Sequence, residues 1–126
     1  MSRVPAPVLV DKSAFVRAPL PDWDREHCLC AATRLEILYS ARSQSDHEEI
    51  ELELDGFRHL RMDAETWAVA MTAERELAAT GHHRVALPDL LVAACAQQNA
   101  ADVLHVDRHF DVLATVLKFR ALRLDG

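Results

Sequence analysis

The run Val8-Leu9-Val10 is apolar without interruption, rich in β-branched side chains, and stops at Asp11. Apolar character that is continuous rather than alternating marks a strand buried on both faces, the kind found in parallel sheets. The pattern returns late in the chain, where Ala101-Asp102-Val103-Leu104-His105-Val106 runs into Asp107. Between them His27-Cys28-Leu29-Cys30-Ala31 reads as another short strand and Arg58 to Met62 as a marginal one, while Phe119 to Leu124 reads as an edge strand. The segments in between carry helical spacing. Thr33 is placed to cap a helix presenting Leu35, Leu38 and Ala41 on one side, and Ile50, Leu54 and Phe57 mark a second helix that Gly56 should end. A third runs from about Ala64 to Thr80 with Trp67, Ala70, Met71, Glu74 and Leu77 at helical spacing, closed by Gly81. Pro88 opens a fourth, which passes through Leu91, Val92 and Cys95 to about Asn99, and a last one covers about His109 to Leu117. Strands alternating with helices predict a three-layer α/β/α domain around a mostly parallel sheet of about four to five strands. In such sheets ligands gather outside the carboxyl ends of the strands, where the winding reverses, and Asp11 and Asp107 both fall at strand ends of that kind.

The length of 126 residues suits one domain, 1–126, with no repeat or linker to divide it. Half the residues are hydrophobic and 27% are charged, a globular composition. Fourteen Lys and Arg against twenty Asp and Glu leave a net charge of -6, which excludes a surface that binds phosphate everywhere, so any nucleic-acid contact must be local. Aromatics at 6% are too few for the stacking platforms that read single-stranded bases. Cys28, Cys30 and Cys95 are odd in number and at no framework spacing, which suits a reducing compartment. The segment from Met1 to Val10 reads as neither signal peptide nor membrane anchor, so a cytoplasmic location without membrane attachment is expected. Cys28-x-Cys30 and His105-x-x-x-His109 have the wrong spacing for a zinc finger. His82-His83 reads as a solvated turn, and the acidic run from Asp46 to Asp55 as the wet face of a helix. No nucleophile elbow, P-loop or dinucleotide fingerprint occurs, which argues against acyl transfer, P-loop nucleotide hydrolysis and hydride transfer.

Asp11, Glu36, Asp89 and Asp107 stand where the packing of such a domain would not choose an acid. Each has an ordinary explanation within reach: Asp11 can cap the short segment after the first strand, Asp89 sits in a helix first turn, and Asp107 can cap the helix after it. Taken together they suggest more. Buried carboxylates repel one another, so several in one site require protonation or a shared cation, and a hard divalent ion with oxygen ligands is the natural partner.

Four phrases, Leu9-Val10-Asp11-Lys12-Ser13-Ala14, Thr33 to Arg42, Leu87-Pro88-Asp89-Leu90-Leu91-Val92-Ala93-Ala94 and Leu104-His105-Val106-Asp107-Arg108-His109-Phe110-Asp111, resemble in order the signature segments of the PIN-domain family. Their wording is most similar to the VapC toxins of type II toxin–antitoxin pairs, particularly those of actinobacteria. The resemblance implies a toxic endoribonuclease dependent on Mg²⁺ or Mn²⁺, dimeric and silenced by a VapB-type antitoxin, that leaves 5′-phosphate and 3′-hydroxyl ends. It carries the family's acidic set over to Asp11, Glu36, Asp89 and Asp107, with Asp11 and Asp89 as direct ligands and Glu36 and Asp107 completing the cluster. Ser13 matches a small hydroxyl residue beside the first acid, and Asp111 is an extra acid standing further back. At His105 the chain departs from the Thr or Ser of many relatives. For the implied homodimer, Trp67 and Met71 are candidates for an apolar surface, although their spacing assigns both to the core.

The expected substrate is structured RNA such as tRNA or rRNA, its backbone held by a rim of Lys12, Arg84, Arg108 and Lys118. Two rivals remain from the sequence. A catalytically inactive binding module on the same fold would be expected to lose at least one of the four acids. A metal-dependent phosphoesterase acting on DNA would need insertions that a chain of this length lacks.

Overall fold

The structure is a computed structural model that describes residues 4–17, 19–82 and 84–124. Its elements are β1 (Val8–Val10), α1 (Lys12–Phe15), β2 (His27–Leu29), α2 (Ala31–Tyr39), α3 (Gln44–Asp55), β3 (Arg58–His59), α4 (Ala64–Ala79), α5 (Leu87–Gln98), β4 (Asp102–His105), α6 (His109–Leu113) and β5 (Ala121–Arg123). The strands form one five-stranded sheet in the order β3-β2-β1-β4-β5, every pair parallel. From β1 the chain winds outward through β2 to β3, then returns to the other side of β1 to lay down β4 and β5. The winding therefore reverses between β1 and β4, and the crevice at their carboxyl ends is the place for a ligand.

Alternation along the strands divides the core. Leu9, Cys28, Cys30 and Val103 point into a cluster with α4, α5 and α6, whereas Val8, Val10, Leu29 and Leu104 meet Ala14, Ile37 and Leu54 on the other face. The three layers follow. Helix α5 is wedged so deeply that Val92 through Ala96 are all buried, which explains why its sequence is apolar nearly all round. Among the described residues no helix is long and apolar enough to cross a membrane.

Both α4 and α5 end in the same hydrogen-bonded turn. After α4, the Gly81 N–H donates to Ala78 O and the His82 N–H to Leu77 O, with Gly81 at φ 79°. After α5, the Ala100 N–H donates to Gln97 O and the Ala101 N–H to Ala96 O, with Ala100 at φ 51°. The motif requires a left-handed residue at this position and usually recruits glycine.

Several expectations are corrected. Strand β2 stops at Leu29, so Cys30 rather than Thr33 caps α2, and Thr33 is buried one turn inside. The helix is thereby turned so that Thr33 and Ile37 face the core, while Leu35 is 68% exposed and Ala41 lies beyond the helix end. Trp67 and Met71 are not core residues either, being 56% and 67% exposed. The last helix ends at Leu113, not Leu117, and the marginal strand shrinks to Arg58–His59. Gly56 does cap α3, but at φ -75°, an angle any residue adopts. His82 is exposed as expected for a turn, and His83 lies outside the described residues.

Candidate functional site

Asp11 is the first residue past β1, and its backbone N–H is held by Leu104 O of β4 at 2.9 Å. Its side chain caps α1, Oδ2 accepting from the Ser13 N–H at 3.0 Å and the Ser13 hydroxyl at 2.7 Å. Ser13 Oγ in turn accepts the Val106 N–H at 2.9 Å, so one hydroxyl ties together the chain leaving β1 and the chain leaving β4. Asp11 is 2% exposed, yet its Oδ1 has no hydrogen-bond partner. Leaving a buried carboxylate oxygen unpaired costs about 1–3 kcal/mol or more, and such an orphan calls for an ion or water.

Glu36 approaches from α2 and Asp89 from the first turn of α5. One oxygen from each of Asp11, Glu36 and Asp89 lies within 4.8 Å of the other two. Asp107, on the turn after β4, joins through Asp89: oxygens of these two acids and Nδ1 of His109 form a second group of the same span. All four sequence-predicted acids thus meet at the switch point.

Their titration shows the strain of that meeting. Burial, a hydrogen bond shared with Asp107 and the charge of Asp11 push Asp89 up to about 8. Burial and then Asp11 raise Glu36 as well. Burial also acts upward on Asp107, but the His109 N–H on its Oδ1 at 2.9 Å and the bond with Asp89 outweigh it and hold Asp107 below its ordinary value. Without a cation the site keeps a proton at neutral pH. An all-oxygen set with an unpaired buried oxygen fits a hard divalent cation, which would take up the same excess of negative charge.

The remaining predicted residues divide. Ser13 touches Asp11 directly. Lys12 shares with Glu36 a groove of about 430 Å³ that Leu35, Tyr39 and Leu91 also line. Arg84 and Arg108 are exposed on the loops leading into α5 and α6, close in sequence to Asp89 and Asp107. Lys118 is not brought to the site: it precedes the amino end of β5, the opposite edge of the sheet, and its N–H bonds Gln97 Oε1 at the far end of α5. Asp111 is exposed and stands outside both acidic groups, 3.9 Å from His105 Nε2.

His105 is fully buried, its Nδ1 accepting the Asp107 N–H at 3.1 Å, and burial lowers its pKa. It thereby props the turn that carries Asp107. Sequence reading weighed His109 only as a zinc-finger ligand and set it aside, yet its Nδ1 lies 3.0 Å from Asp89 Oδ2. Its place two residues after Asp107, on the first turn of a short helix, was the available signal.

The chain is similar in sequence and in fold to known proteins. The PIN domain family model matches residues 8–116. A ribonuclease of Mycobacterium tuberculosis, VapC18, is 37% identical over 119 residues, covering 85% of this chain and 87% of that protein. Among solved structures, VapBC-5 from Mycobacterium tuberculosis, a member of the VapBC family of toxin-antitoxin systems, superposes with a TM-score of 0.71 at 22% identity over 95% of this chain and 100% of that one. VapBC2 from Rickettsia felis, bound to a DNA fragment from their promoter, gives a TM-score of 0.76 at 14% identity, covering 94% and 98%. These two likenesses show the fold.

Proposed function

The chain belongs to the PIN-domain family and within it to the VapC ribonuclease toxins of toxin–antitoxin systems, and from that premise we propose that it is a divalent-cation-dependent endoribonuclease cutting structured RNA. The observation that carries this reading is the convergence of Asp11, Glu36 and Asp89 within 4.8 Å, with Asp11 Oδ1 buried and unpaired. Asp11 and Asp89 hold the ion, Mg²⁺ or Mn²⁺, and Glu36 and Asp107 complete its surroundings. Once bound, the cation supplies a Lewis acid that lowers the pKa of water and neutralises charge on the scissile phosphate. Ser13 keeps Asp11 in one orientation, and Asp89 gives up its proton when the site is filled. Lys12, Arg84 and Arg108 supply the local positive rim that an acidic protein needs to retain an RNA backbone.

A VapB-type antitoxin would silence the site by placing an Arg or Lys against Asp11, Asp89 and Asp107, a countercharge of the same sign as the ion. A homodimer is the expected assembly, and the exposed Trp67, Met71 and Leu87, which border a groove of about 300 Å³ between α4 and α5, give it an apolar surface to use.

The test is to incubate the purified chain, free of antitoxin, with total RNA and with DNA, in chelator and in Mg²⁺ or Mn²⁺. Cleavage of RNA alone, and only with the cation, is expected. Cleavage of DNA instead would favour a DNA phosphoesterase, and binding without cleavage of either would favour an inactive module.

A further inference from the structure

We propose that His109 is a nitrogen ligand at this site, and that the position between Asp89, Asp107 and His109 selects a first-row transition-metal ion able to take an imidazole, Mn²⁺ in the first instance, over Mg²⁺. The inference rests on the metal-site reading above and adds a ligand to it. Asp89 is shared by two differently composed groups, an all-oxygen one with Asp11 and Glu36 and a mixed one with Asp107 and His109.

His109 Nδ1 stands 3.0 Å from Asp89 Oδ2 and 3.6 Å from Asp107 Oδ1. Ligands at right angles around a six-coordinate ion with bonds of about 2.1 Å are separated by about 3 Å, so these spacings suit neighbouring positions of one coordination shell. The Ala86 N–H also approaches this nitrogen, at 3.4 Å, so Nδ1 sits between a backbone donor and a carboxylate. With the ring proton on Nε2, the Nδ1 lone pair faces the Asp89 carboxylate at 3.0 Å, and a proton or a metal ion stands between them. The backbone from which the ring projects is anchored, because the His109 N–H is fixed by Asp107 Oδ1 at 2.9 Å at the start of α6. Asp89, the other wall, is only 5% exposed.

Mg²⁺ takes oxygen ligands almost exclusively, whereas Mn²⁺ and the later first-row ions accept imidazole, with affinity rising along the series. A mixed nitrogen and oxygen group therefore tilts selection away from Mg²⁺. Replacing His109 by a carboxylate would restore an all-oxygen set and remove the tilt.

The experiment is pulsed electron paramagnetic resonance of the full chain loaded with less than one equivalent of Mn²⁺, without RNA. Directly bound imidazole imprints nitrogen modulation on the Mn²⁺ echo. Wild type should show the modulation, and His109→Asp should bind Mn²⁺ without it. In competition, the Mg²⁺ concentration needed to displace Mn²⁺ should fall about tenfold or more in His109→Asp, the scale on which changes around a metal site act. His109→Asn serves as a second variant should the added charge prevent folding. Mn²⁺ bound in an Asp89-dependent manner, but with no nitrogen modulation in the wild type, would overturn the role of His109 and leave the ribonuclease reading intact. Failure of the wild type to bind either cation would overturn both.

Discussion

The Ser13 hydroxyl donates to Asp11 Oδ2 at 2.7 Å while accepting the Val106 N–H at 2.9 Å, so the two strand ends that build the site are joined through one oxygen atom. Ser13→Ala strips a hydrogen bond from Asp11 and leaves the Val106 N–H without its acceptor. Stability should fall by about 1–2 kcal/mol. Cleavage should fall roughly tenfold, equivalent to about 1.4 kcal/mol of barrier, and in kcat more than in KM because substrate contacts are untouched. Denaturant melts and steady-state kinetics on one RNA check both; an unchanged kcat would show that the hydroxyl is only structural.

Asp89 predicts how stability responds to pH. In the folded, cation-free protein its pKa is pushed up to about 8, against about 4 in the unfolded chain. The folded state therefore holds a proton that the unfolded state has lost, and stability falls as pH rises from about 4 to about 8. Glu36, raised by burial, acts in the same direction. In chelator, the difference in melting temperature between wild type and Asp89→Asn should widen across that window in favour of the variant. Excess Mg²⁺ should reverse the trend for the wild type, since the ion binds the deprotonated carboxylates.

Ala100 and Gly81 occupy equivalent places in the turns that end α5 and α4, at φ 51° and φ 79°. A left-handed alanine is disfavoured by about 1–2 kcal/mol, partly offset by the greater freedom of glycine in the unfolded chain. Ala100→Gly should raise stability by about 0.5–1 kcal/mol, and Gly81→Ala should lower it by about 1 kcal/mol. Chemical denaturation measures both.

Lys12 lies beside Glu36, whereas Lys118 stands at the opposite edge of the sheet. Lys12→Gln should weaken RNA binding and reduce the slope of log affinity against log salt by about 0.7–0.9, the share of one phosphate contact. Lys118→Gln should change neither. Filter binding across a salt series distinguishes the two residues.

Much of this was legible in the sequence because the deciding signals are local. Continuous apolar runs that stop at an acid, as at Val10-Asp11, marked the buried parallel strands and the end of the sheet where the four acids meet. The reading of Asp11 as a helix cap holds, since Oδ2 caps α1, and the leftover Oδ1 is the atom on which the proposed ligand role rests. Helix faces were less legible. Strand β2 stops two residues early, at Leu29, which puts the N-cap of α2 at Cys30 instead of Thr33 and turns Leu35 outward. Trp67 and Met71 have core-like spacing, but Thr66, Ala70, Ala73 and Leu77 are the residues of α4 that are buried, a fact of tertiary arrangement that no periodicity encodes. His109 was weighed only with His105 and the cysteines, because its partner Asp89 is distant in sequence and only the packing of α6 against α5 brings the ring to the carboxylate.

The most direct test of the acidic cluster is the cleavage rate of a single RNA substrate by Asp11→Asn in saturating Mg²⁺, with the wild type alongside. The substitution removes one charge at nearly constant volume and keeps a side-chain oxygen to cap α1, so the fold survives and the chelator-phase melting temperature should hold or rise. The account predicts a loss of cleavage of at least about 100-fold, the scale of removing a principal electrostatic contributor. A variant that folds and cuts within a few fold of the wild type would contradict it and return Asp11 to the role of a helix cap.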